Sequence, residues 1–141
     1  MTRQSEEMTM IPLRKTAEMF MAVYVIGFSG FVAASHARGV NALEWTGMTH
    51  LEALQFAWLC LGASAVHAFG IRLNGSFRWS PFIRAAALIA LSLAFLDLAW
   101  AGAGNTASYT YLWVFFGFFL ALRTTVRDCI LAWRGHYGTT H

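Results

Sequence analysis

The chain has 141 residues, of which 57% are hydrophobic and only 12% charged, with a mean hydropathy of +0.51. A soluble domain carries about 25% charged residues, so an ordinary soluble fold is excluded, and the same composition excludes a disordered chain. The net charge of +3 does not mark a nucleic-acid binder, because the basic residues are distributed as membrane topology requires.

Residues 1–15 are polar and mixed in charge, and read as a short cytoplasmic segment. Residues 16–35 form an apolar run whose only charge is Glu18. A polar loop with Arg38, Asn41 and Glu44 follows, and residues 50–71 form the second run. The stretch 72–81 (RLNGSFRWSP) carries turn chemistry. Residues 83–103 form a third run interrupted by Asp97, and residues 106–122 a fourth. Each run matches a bilayer core of roughly 30 Å. The expected fold is therefore an all-α integral membrane protein, a four-helix transmembrane bundle over 16–122 with a basic tail at 123–141.

Of the ten Lys and Arg residues, nine lie in the N-terminal segment, the second loop and the tail, and only Arg38 lies in the first loop. This asymmetry predicts cytoplasmic N- and C-termini and a multi-pass protein of the inner (plasma) membrane. Ser35-His36-Ala37 resembles a signal-peptide cleavage site. The preceding run exceeds the usual apolar region of about 7–15 residues, however, and acids precede it, so the first span is read as retained.

Small residues recur at helical spacing. They are Gly27 and Gly30 in the first span, Ala53, Ala57, Cys60, Ser64 and His67 in the second, Ala86, Ala90 and Ala94 in the third, and Gly117 and Ala121 in the fourth. Helices in lipid associate through close backbone approach at such residues. These stripes are therefore the predicted packing faces, within one chain or between copies. Leu88 and Leu91 are predicted to face lipid. Cys60 and Cys129 fall at different depths and are not expected to bond.

Three polar residues inside the spans are candidates for a role beyond packing. Asp97 shares the alanine stripe, so it is predicted to face protein, as a hydrogen-bonded acid or as a proton or ion site. His67 shares the stripe of the second span. Bis-histidine haem ligation there needs a second histidine at matching depth, and none lies in a span on that side, so no cofactor is predicted. Gln55 lies off the stripe and suits a contact with a neighbouring helix. His36, Glu44, His50 and Glu52 are acceptable ligand types without a metal-site spacing, so no metal is predicted. Arg123, Arg127 and Arg134 are read as lipid-headgroup contacts on a partly amphipathic helix.

No phosphate loop, zinc-protease motif, nucleophile elbow or CxxC pair is present. The chain reads as non-enzymatic, with no catalytic residues. The leading expectation is an accessory, anchoring or assembly subunit of a membrane complex, whose partners are the bilayer, other membrane subunits or further copies. A self-assembling holin-like permeabilising protein is the alternative. A small cofactor-binding subunit or carrier using His67 or Asp97 is the third reading.

Overall fold

A computed structural model of the chain describes residues 3–73 and 77–135, with side chains from Thr16 onward. The described residues form four α-helices, α1 (Arg3–Ala37), α2 (His50–Arg72), α3 (Ser80–Ala101) and α4 (Thr106–Trp133), and no strand. Three segments are long and apolar enough to cross a membrane: Thr16–Ala37, His50–Arg72 and Ser80–Ala101. The chain is thus a helical membrane protein. Helix α1 begins well before residue 16, and α4 runs past Leu122 without a break. The turn expected at 74–76 and the tail beyond Gly135 lie outside the described residues.

Short connections make sequential helices neighbours. Helix α2 packs on α1 and α3, and α3 packs on α4, while α1 and α4 approach one another less closely than these. That last seam is bridged by side chains: Phe28 of α1 meets Tyr111 of α4 with ring centroids 6.0 Å apart.

Each helix buries a stripe with four-three spacing. Helix α1 buries Glu18, Ala22, Val25, Ser29 and Val32, and α2 buries Ala53, Ala57, Cys60, Ser64 and His67. Helix α3 buries Arg84, Leu88, Leu91, Phe95 and Leu98, and α4 buries Phe118, Ala121, Thr125 and Ala132. A repeat near 3.5 residues keeps one face inward along the helix and suits shallow, left-handed crossing of neighbours. Both cysteines are free thiols, Cys60 buried and Cys129 half-buried.

The second span buries the face that its small residues predict; the first and third do not. Leu88 and Leu91 are fully buried, whereas Ala86 is exposed and Ala90 and Ala94 are half-buried. Gly27 and Gly30 are exposed, with open space around both. The physical reason is that α1 and α3 carry the charges Glu18 and Arg84. Turning these inward fixes the rotation of each helix, and the small residues lie about half a turn away. Gly117 is half-buried, and a Cβ there would sit 3.1 Å from the Met21 methyl.

The end of the bundle holding the α1–α2 loop is closed by aromatic and amide contacts. Asn41 donates to the Met48 carbonyl at 2.8 Å and accepts from the Leu43 N–H at 3.1 Å. Gly47, at φ 80°, closes the short helical turn Glu44–Thr46, a backbone region that other residues enter at a cost. Trp45 stacks on Tyr111 with centroids 5.5 Å apart. The same indole covers Gly102, where any Cβ would collide with the ring. Thr49 and Glu52 form a capping box at the start of α2.

Candidate functional site: a buried ion-pair centre joining the four helices

Near the other end of the bundle, every helix contributes a polar side chain to one buried centre. Glu18 comes from α1, His67 from α2, Arg84 from α3, and Thr125 and Asp128 from α4. Arg84 and Glu18 are each 2% exposed, and His67 and Thr125 are fully buried.

Arg84 is the hub. Its Nη2 lies 2.5 Å from Glu18 Oε2 and 3.4 Å from the Thr125 hydroxyl, and its Nη1 lies 3.4 Å from Asp128 Oδ2. A planar guanidinium offers five donors in a fixed fork, which a lysine cannot reproduce. Thr125 receives Arg84 while donating its own proton to the Ala121 carbonyl at 2.9 Å. The His67 ring makes no hydrogen bond to the described residues, and its Nε2 stands 3.9 Å from Glu18 Oε2. That separation is beyond hydrogen-bond reach.

The backbone around the hub is shaped to admit it. A Cβ on Gly70 would stand 2.6 Å from Arg84 Cγ, so the arginine stem occupies the space that a side chain would fill. Ser80 Oγ donates to the Gly70 carbonyl at 2.6 Å, tying the start of α3 to the end of α2. Pro81 sits in the first turn of α3, where its missing N–H costs no helical bond. One turn further along α2, Ser64 Oγ donates to the Ala22 carbonyl of α1 at 2.8 Å. The centre thus fixes the mutual rotation and register of the helices. Removing one partner of a buried ion pair costs about 3–5 kcal/mol, because the other charge keeps its desolvation penalty.

The predicted polar residues fall in different places. His67 belongs to the centre. Asp97 does not: it is exposed on the outside of α3, four residues before the helix end, and takes part in no ion pair among the described residues. Gln55 is also exposed. Arg123, Arg127 and Arg134 are exposed along α4 and beyond it, while Asp128 between them turns inward to Arg84. The histidines of the first loop meet each other rather than a shared ligand set. Their rings stack with centroids 4.0 Å apart, and His36 Nδ1 stands 3.2 Å from the His50 carbonyl oxygen. Among the described residues, no group of three or more metal-ligating side chains is gathered.

Sequence reasoning missed Glu18, Arg84, Thr125 and Asp128 as a set. A signal was present: Glu18 is the lone charge in its run, and Arg84 stands just inside the third helix at a matching depth. Comparison with family models, curated proteins and solved structures finds no match for this chain.

Proposed function

We propose that this chain is a non-enzymatic accessory, anchoring or assembly subunit of a membrane complex. It crosses the inner (plasma) membrane four times with both termini in the cytoplasm. The observation that carries the reading is the outside of the bundle. Gly27, Gly30, Ala86 and Asp97 are exposed at positions along the apolar helices, and the interior is taken up by packing and the ion-pair centre. Small residues on a lipid-facing surface admit the close approach of another helix. A carboxyl within a span calls for a donor from a partner.

The nine-to-one distribution of Lys and Arg supports the orientation. The pairing of α4 with α3, begun by the Asn105 cap and by Ser108 Oγ donating to the Ala99 carbonyl at 2.6 Å, supports the fourth crossing.

Two measurements test the reading. A periplasm-active reporter fused at Asn105 and a cytoplasm-active reporter at the C-terminus are both expected to be active. In mild detergent the protein is expected to migrate as a larger assembly, which Ala86→Leu and Asp97→Leu disperse without unfolding the protomer. A wild-type protomer that migrates alone, at membrane-matched concentration, removes the assembly reading. Abrupt collapse of the membrane potential on expression replaces it with the holin-like one. The third reading, cofactor binding at His67, is favoured by the ring nitrogens that make no hydrogen bond to described residues. A Soret band in the purified protein would establish it.

A further inference from the structure

Asp97 is exposed on α3 four residues before the helix end, about 6 Å inside it at 1.5 Å per residue. It takes part in no ion pair among the described residues. A carboxylate at that depth in a span is costly without a partner. Arg38, just beyond α1, is the only Lys or Arg at the same end of the bundle. It too is exposed and has no ion pair among the described residues. Its Nε donates to the Ala34 carbonyl at 3.2 Å, which turns the side chain back along α1 toward the depth of Asp97. Both Nη groups are left for a carboxylate, the group that a guanidinium fork fits best. The two imidazoles at that end, His36 and His50, are half-buried and stacked on each other.

Helices α1 and α3 stand diagonally across the bundle, with α2 and α4 between them. Their exposed faces therefore point to opposite sides, and the two charges of one chain stay apart. Both helices run toward the end that holds the α1–α2 loop. In copies inserted the same way they lie parallel, with Arg38 and Asp97 at one end. The exposed residues before the two charges are in register. Ala34, Gly30 and Gly27 stand four, eight and eleven positions before Arg38, and Leu93 and Ala86 stand four and eleven positions before Asp97. Space is open around Gly27 and Gly30, so a neighbouring helix can come close there.

We infer that Asp97 of one copy pairs with Arg38 of the next, seating α3 of the first on the exposed face of α1 of the second. The inference rests on the assembly reading above and makes the partner a second copy of this chain. The opposite charges select the contact, and the small residues beneath Arg38 admit it. Because the two patches lie on different sides of the protomer, the contact is head-to-tail, and repeating it closes a ring or extends a row.

The test uses full-length chains tagged at the C-terminus with donor or acceptor fluorescent proteins. They are reconstituted at high lipid dilution in phosphatidylcholine vesicles, where energy transfer reports association. Arg38→Asp and Asp97→Arg are each expected to weaken self-association at least about tenfold, the lower end for close charge pairs across interfaces. Mixing the two variants should restore transfer, because each supplies the charge that the other lacks. Arg38→Gln and Asp97→Asn, alone and together, repeat the comparison without a new charge in the span. The double variant should associate no more weakly than either single one. A wild type without transfer removes the assembly reading and this pairing with it. Wild-type transfer that Arg38→Gln leaves unchanged keeps the assembly reading and overturns the pairing. Additive losses in the neutral double variant overturn it as well, as does a mixture of the two charge-reversed variants, both folded by circular dichroism, that shows no transfer.

Discussion

Helices α2 and α3 carry the same kind of small-residue stripe and use it in opposite ways. On α2, Ala53, Ala57, Cys60 and Ser64 are buried, and neighbouring backbones approach closely enough for Ser64 to reach a carbonyl of α1. On α3, Ala86 faces out and Leu88, Leu91, Phe95 and Leu98 fill the interior. Side-chain volume therefore does not decide which face turns inward. In lipid, leucine on either face meets hydrocarbon, so the apolar residues express little preference. The charges do express one. Arg84 must reach Glu18 and Asp128, and with Arg84 inward, the positions four, seven, eleven and fourteen residues later follow it. Helix α2 has no competing anchor, because His67 lies on the small stripe itself.

The largest test of this comparison removes the anchor. Arg84→Met should destabilise the fold by about 3–5 kcal/mol, because Glu18 loses the guanidinium while remaining buried, and half-buried Asp128 loses it as well. Reversible unfolding in detergent or by steric trapping would measure it. Replacing Glu18 and Arg84 together with Leu and Met should recover much of the loss; equal damage in the double variant would show that the pair is not the source of the effect.

The next test contrasts the two faces of α3. Leu91→Ala opens a cavity among Leu88, Phe95 and Phe118 and should cost about 2–4 kcal/mol. Ala86→Leu, on the exposed side, should leave protomer stability within about 0.5 kcal/mol. Reversed magnitudes would put the alanine stripe inside after all.

A smaller effect is expected on α2, where Ala57→Leu overpacks a fully used face and should cost about 1–3 kcal/mol. The smallest belongs to Ser64→Ala, which removes one interhelical hydrogen bond, worth about 0.6 kcal/mol in measured membrane cases. A Ser64→Ala effect exceeding that of Ala57→Leu would mean that hydrogen bonding, not close approach, holds α1 to α2.

Much of the architecture was legible from the residues. The apolar runs locate the helices, and α2 shows its buried face directly. The packed faces of α1 and α3 were not legible from small residues, because volume carries little information about facing in lipid. They become legible when Glu18 and Arg84 are read as partners at one depth rather than as a lone acid and a topological charge. Asp128 was hidden for a similar reason, since it sits among arginines that the sequence alone reads as headgroup contacts. The stacking of His36 on His50 depends on how α1 ends and α2 begins, and spacing alone does not encode it.

The ion pair between Glu18 and Arg84 spans 66 residues of chain. During synthesis the first helix enters the membrane long before the third exists. At about 5–20 residues per second, the interval is roughly 3–13 s. Through that time Glu18 has yet to meet its arginine, and α1 lacks the contact that sets its rotation. The contact that ties the rotation of the first helix to the third is therefore among the last to become available as the chain is made.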